Sequence, residues 1–161
     1  MIILSITTSS KICGVAILED TSIIAEINLD NGLTHSESLM PLIEKIFAQT
    51  NLSLSNIDLL VSDIGPGSFT GIRIGVSTIK AFSDSLGIPC IGVNSLDSLT
   101  YNCSSNGIIC SLIDAKKNNV YFEIFENILN FSFSHFVRRK ASFENIENLL
   151  LELKNINPNY D

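Results

Sequence analysis

The sequence predicts an α/β fold: a mixed five-stranded sheet with helices on both faces, followed by an incomplete second β-β-β-α lobe. Three observations carry this. Three β-branched runs come first, joined so briefly that they must pair antiparallel. Strands then alternate with helical segments. From residue 108 the opening pattern starts again.

Residues 2–7, IILSIT, read as the first strand, 12–18 as the second and 22–29 as the third, with Glu19-Asp20 as a turn. Residues 30–35 are loop. Ser36 is placed to cap a helix over 37–49, whose Leu39, Ile43, Ile46 and Phe47 share one face. LLVSDIG at 59–65 is the next strand. A helix over 69–86 follows, with Ile72, Val76, Ile79, Phe82 and Leu86 in register and Gly87 as its C-terminal cap. IPCIGV at 88–93 is the fifth strand, and Ser95 opens a short helix to Cys103. These make a first lobe, residues 1–105.

IICSLIDAKKNNVYFEIFEN at 108–127 resembles IILSITTSSKICGVAILED at 2–20. A third strand at 129–137 and a helix over 143–154, capped by Ser142, complete a partial second lobe, residues 106–161.

Ten basic residues against seventeen acidic ones leave a net charge of −7. The only basic cluster is Arg138, Arg139, Lys140, so tight binding of RNA by this chain alone is disfavoured. The apolar share, 45% of residues, supports a packed core rather than disorder. Cys13, Cys90, Cys103 and Cys110 show no CxxC spacing, and three of them lie in apolar runs; they read as buried thiols. No stretch has the length of a membrane helix or the pattern of a signal peptide, so the chain reads as cytoplasmic.

The segment DIGPGSFTGIRIG, residues 63–75, carries the functional question. Glycines at a strand-to-helix turn suit a phosphate, whose oxygens take backbone N–H groups at a helix N-terminus. Yet no Gly-Lys-Ser/Thr occurs, and Gly65-Pro66-Gly67 followed by Gly71 does not make the dinucleotide-binding spacing. The residues Gly65, Pro66, Gly67, Ser68, Phe69, Thr70 and Gly71 also have a structural reading. Pro66 pushes Gly65 toward an extended conformation, Gly67 permits the turn, and Ser68 or Thr70 caps the helix. Gly67, Gly71 and Gly75 fall on one smooth helical stripe that another backbone can approach, inside the domain or on a partner.

GPGSFTGIRIG, the helix ending in SLGIPCIGVNSL, HSESLMPLI at 35–43 and LIDAKKNNVYFEIF at 112–125 closely resemble the TsaB (YeaZ) family of tRNA threonylcarbamoyladenosine biosynthesis proteins. The resemblance covers the whole chain. It implies an actin-like ATPase, ribonuclease H-like fold with two lobes. It implies a non-catalytic subunit that pairs with a catalytic, metal-bearing TsaD-like paralogue and a TsaE-like ATPase, forms homodimers in isolation, and meets tRNA only through the complex. No cofactor is implied for this chain alone, with ATP or ADP at the complex interface left open. Family members run longer, so the second lobe reads as shortened. The implied partner surface is the pair of helices at 37–49 and 69–86. Its candidates are Leu39, Leu42 and Ile46 on the first, and Gly71, Ile72, Arg73, Gly75, Val76 and Lys80 on the second. Some of these must face the sheet instead.

The remaining chemistry is sparse. Relatives read Ile-Asp-Thr at the end of the first strand, where this chain has Ile6-Thr7-Thr8; without that carboxylate, autonomous Mg²⁺-ATP hydrolysis is disfavoured. Asp114 reads as a turn-capping aspartate. TsaD-type metal binding uses two histidines one helical turn apart, but His35 stands alone and His135 is a hundred residues away. Two rivals remain: a nucleotide-binding ATPase or small-molecule kinase of the same superfamily, and a glycoprotease-like hydrolase. Ser36 beside His35 does not make the latter a triad, because adjacent residues at a helix start do not face each other.

Overall fold

The computed structural model describes residues 1–103, 107–130 and 133–156, with side chains in all of these except 126–144 and 152–156. The chain divides into two compact units, Met1–Ser95 and Leu96–Asp161.

The first unit is built on a five-stranded sheet. Strands β1 (Ile2–Thr7), β2 (Cys13–Glu19) and β3 (Ser22–Leu29) form an antiparallel meander, and β4 (Leu59–Asp63) and β5 (Cys90–Val93) add in parallel to β1, giving the order β3-β2-β1-β4-β5. Helix α1 (His35–Thr50) links β3 to β4, and α2 (Phe69–Leu86) links β4 to β5. Alternation along the strands puts Leu4, Ile6, Val15, Ile17 and Leu60 on one face. That face takes Leu39, Leu42, Ile43 and Ile46 of α1 and Ile79 of α2 into a single core. The sequence reading put helices on both faces of this sheet; the two long helices of this unit lie together on one.

Helix ends differ in detail from expectation. Helix α1 starts at His35 with Thr34 as its N-cap, not Ser36. Glu37, three residues on, accepts from the Thr34 N–H at 3.0 Å and from its hydroxyl at 2.5 Å. Pro41 is the seventh residue of α1, past its first turn, so the helix forgoes the backbone bond from that position to Glu37. Helix α2 ends as read: Gly87 has φ +69° and returns its N–H to the Ser83 carbonyl at 2.9 Å.

In the second unit, β6 (Gly107–Lys116), β7 (Asn119–Asn130) and β8 (Phe133–Asn145) form an antiparallel sheet, followed by α4 (Ile146–Ile156); a short α3 (Ser95–Thr100) precedes them. The β-β-β-α order of the sequence repeat is thus present. Its helix begins at Ile146 rather than 143, because β8 runs on to pair Phe143 with Tyr121 and Asn145 with Asn119. Asn145, not Ser142, caps it, accepting from the Glu147 N–H at 2.8 Å. A small core gathers Val120, Phe122, Ile124 and Leu149.

The cysteines divide. Cys13 is buried in the core, but Cys90 and Cys103 are exposed and Cys110 is half-buried, so the reading of buried thiols holds for Cys13 alone. Cys90 lies on the edge strand β5. No described helix is long and apolar enough to cross a membrane.

Candidate functional site

Strands β1 and β4 are parallel neighbours, with Ile6 beside Ser62, so Thr7 and Asp63 end adjacent strands at the carboxyl edge of the sheet. Strand order switches sides there, with β2 and β3 on one side of β1 and β4 and β5 on the other, the place where open α/β sheets bind ligands. The glycine loop, residues 64–68, leaves β4 at this edge and feeds α2.

The loop is tied to the β1–β2 turn rather than left hollow. The Ser68 N–H donates to the Ser9 carbonyl at 2.6 Å. A side chain on Gly67 would strike that same carbonyl. Farther along, Gly71 rests against the Thr8 carbonyl, and the Thr8 hydroxyl donates to the Gly71 carbonyl at 2.7 Å. Gly75 packs on the Thr8 hydroxyl and on Ser62. The glycine stripe therefore meets a backbone inside the domain.

Gly65 has φ +89°, a conformation that favours glycine, and precedes a cis peptide bond to Pro66. The extended conformation expected from Pro66 is not adopted. Ser68 caps α2, its hydroxyl oxygen accepting from the Gly71 N–H at 3.2 Å.

At the floor of the loop lies Asp63, which sequence reasoning passed over. Its Oδ1 accepts from the Gly65 N–H at 2.8 Å and the Ser95 hydroxyl at 2.5 Å. Its Oδ2 accepts from the Thr7 hydroxyl at 2.9 Å and from the Ser9 hydroxyl. The signal was an aspartate two residues ahead of a glycine, the spacing at which a carboxylate takes a backbone N–H. The carboxylate that β1 lacks at Thr7 is supplied at the same edge by the neighbouring strand. Ser95 opens α3, as the sequence reading has it, and its hydroxyl donates to Asp63.

A cleft of 590 Å³ opens beside this junction, bounded by Lys11, Thr34, His35, Ser68 and Thr70. The His35 imidazole Nε2 lies 2.8 Å from the Ser10 carbonyl, so it carries the proton and donates, pinning the turn to α1. The residue one turn beyond it, Leu39, is buried in the core and supplies no metal ligand. Among the described residues, no three His, Cys, Asp or Glu side chains gather as a metal site. His135 lies outside the described side chains, as do Arg138, Arg139 and Lys140. Asp114 accepts from the Lys116 N–H and Nζ, both at 2.7 Å, and these bonds hold its carboxyl below the usual range.

The candidate partner residues split into two groups. Leu39, Leu42 and Ile46 are core residues at 4% exposure or less, and Gly71 and Gly75 are buried on the turn, so none of the five presents a surface. Packing is the reason: α1 turns its apolar stripe to the sheet, and α2 approaches the β1–β2 turn through its glycines. Ile72 and Val76 are half-buried, and Arg73 and Lys80 are exposed. Phe69 stands 74% exposed, with the Arg73 guanidinium 5.4 Å from its ring centre. Thr70, Arg73, Ile74 and Ser77 line a groove of 320 Å³ along the outer side of α2.

The strand order, the meander and the glycine turn define a lobe of the actin-like, ribonuclease H-like class. A family model described as TsaD, tRNA N6-adenosine threonylcarbamoyltransferase, matches residues 30–132, and the chain belongs to that family. It is 34% identical over 127 residues to the tRNA threonylcarbamoyladenosine biosynthesis protein TsaB of Bacillus subtilis, covering 78% of this chain and 56% of that protein. To TsaB of Escherichia coli it is 32% identical, covering 76% and 54%. The chain spans about half the length of the curated relatives it matches. The solved YeaZ from Pseudomonas aeruginosa superposes with a TM-score of 0.74 at 22% identity, over 88% of this chain and 66% of that one, which shows the shared fold.

Proposed function

We propose that this chain is a non-catalytic subunit in tRNA threonylcarbamoyladenosine biosynthesis, pairing through the outer face of α2 with a catalytic TsaD-like paralogue. The observation that carries the reading is the division of α2 into two sides. One side, Gly71, Gly75 and Ile79, is spent on the chain's own turn and core. The other presents Phe69, Arg73, Ser77 and Lys80 at spacings of three and four, an exposed row on one helical face. An exposed aromatic stacked with an arginine is the composition enriched where protein interfaces have their strongest contacts. The relatives' names supply the pathway. A TsaE-like ATPase would join the pair, the same helix would serve a homodimer when the paralogue is absent, and tRNA would be met by the complex. The balance of ten basic to seventeen acidic residues favours that indirect route to tRNA.

The sequence at the start of α1 fits the subunit role. His35 has Leu39, not a second histidine, one turn on. The test is reconstitution: the chain is mixed with the TsaD-like paralogue, the mixture is sized, and tRNA modification is assayed with and without the chain. A co-eluting pair and modification that depends on the chain are expected. Modification at full rate without it, or Mg²⁺-ATP turnover by the isolated chain, would sink the reading.

A further inference from the structure

A nucleotide phosphate is the ligand that the superfamily resemblance offers for the glycine loop, and Asp63 at the loop's floor opposes it. A phosphate there would need free N–H donors at the turn into α2. Three of those donors are already engaged: the Gly65 N–H by Asp63, the Ser68 N–H by the Ser9 carbonyl, and the Gly71 N–H by the Ser68 hydroxyl. The ligand would also approach an aspartate at the loop's floor, with like charges in a partly buried place.

The donors around Asp63 nonetheless form the kind of set that holds an anion. One backbone N–H and three hydroxyls, from Thr7, Ser9 and Ser95, converge from four separate positions on the two oxygens of one carboxylate. They come from the end of β1, the β1–β2 turn, the glycine loop and the segment after β5. We propose that Asp63 is an internal anion: its carboxylate fills the donor cradle at the switch point, taking the place of a bound carboxylate or phosphate and locking the glycine loop onto the β1–β2 turn. The chain thereby closes, with its own side chain, the position where open α/β sheets bind ligands. The inference does not depend on the proposed partner, since every group involved lies in the first unit.

Truncating the side chain leaves four donors without their acceptor and a void the size of a small carboxylate, so formate can substitute for it. The experiment uses the full chain and its Asp63→Ala variant, each melted in sodium formate and in sodium chloride at matched ionic strength. Hydrogen exchange is read at the Gly65 amide. The wild type is expected to melt at the same temperature in both salts. Asp63→Ala is expected to melt lower in chloride, with Gly65 protection lost, and to regain at least half the lost melting temperature with saturable dependence on formate. Equal melting of Asp63→Ala in the two salts would overturn the proposal. So would retention of Gly65 protection in chloride, or protection of the wild-type loop by inorganic phosphate. Should Asp63→Ala be recovered only as insoluble protein, refolding yields in formate and chloride carry the same test. Recovery in formate alone supports the internal anion, and equal failure in both overturns it.

Discussion

Gly71 and Thr8 exchange backbone and side chain in a single contact: the glycine lies against the Thr8 carbonyl, and the Thr8 hydroxyl donates to the Gly71 carbonyl at 2.7 Å. The contact joins the first turn of α2 to the end of the first strand. It explains why α2 buries only Gly71, Gly75 and Ile79 yet stays on the sheet. Close backbone approach replaces the large apolar side chains that hold α1.

Gly71→Ala is therefore a stability variant. Its Cβ would run into the Thr8 main chain, which cannot swing aside as a side chain can. Overpacking of this kind costs about 1–3 kcal/mol, and backbone opposition places it toward the upper end. Urea unfolding should show a clearly lower midpoint for Gly71→Ala. Ser77→Ala, on the exposed side of the same helix, should stay within about 0.5 kcal/mol of the wild type. A Gly71→Ala midpoint equal to that of Ser77→Ala would contradict the packing.

The cysteines give a second expected outcome. Cys13 is 2% exposed, and burial pushes its thiol above the usual value, so both access and thiolate fraction are low. A thiol reagent at neutral pH should modify Cys90 and Cys103 quickly, Cys110 more slowly, and Cys13 only once the first unit opens. Mass mapping of modified peptides with time checks the order. Early labelling of Cys13 would be incompatible with its place in the core.

Glu37 gives a pH dependence with a defined sign. The hydrogen bond from the Thr34 hydroxyl, and then the one from its N–H, hold the carboxyl below its usual value. A group whose folded pKa is depressed contributes stability that is fully present above the unfolded pKa. That contribution fades as pH falls through the folded pKa. Glu37→Gln should thus be less stable than the wild type near neutrality, with the gap closing in acid. Paired melts from pH 7 downward test this, and a gap that widens in acid would reverse the assignment.

Much of the fold was legible because the signals were local and periodic. The β-branched runs of β1 to β3, the apolar register of α2 and Gly87 at its end depend on neighbours in sequence. The site was less legible because its decisive contacts are distant in sequence. Asp63 meets Thr7 and Ser9 across more than fifty residues and Ser95 across thirty-two. Reading β1 alone reported a missing carboxylate, while the adjacent strand brought one to the same edge. The glycine stripe is a surface for close approach, but its assignment to a partner's helix is overturned: the chain's own β1–β2 turn occupies it, and nothing local in the sequence signals that turn's position. For α1, periodicity defined one apolar stripe without saying whether sheet or partner covers it; the buried Leu39, Leu42 and Ile46 give it to the sheet.

Arg73 carries the test of the proposed pairing that stability cannot confound. It is exposed, and the described contact it makes is the stacking on Phe69, worth about 0.5–1 kcal/mol at an exposed site. Arg73→Glu should accordingly fold and melt close to the wild type. If the outer row of α2 meets the TsaD-like paralogue, reversing this charge removes a cation and a stacked pair from the contact. An interface arginine of that kind costs more than about 1.4 kcal/mol on replacement, a tenfold or greater loss in affinity. Lys80→Glu, two turns on, should weaken pairing less, as rim charges do. Titration of the paralogue by calorimetry, at two salt concentrations, separates the cases. Wild-type affinity in both variants would place the partner elsewhere on the chain while leaving the Asp63 cradle and the Gly71–Thr8 contact as they are.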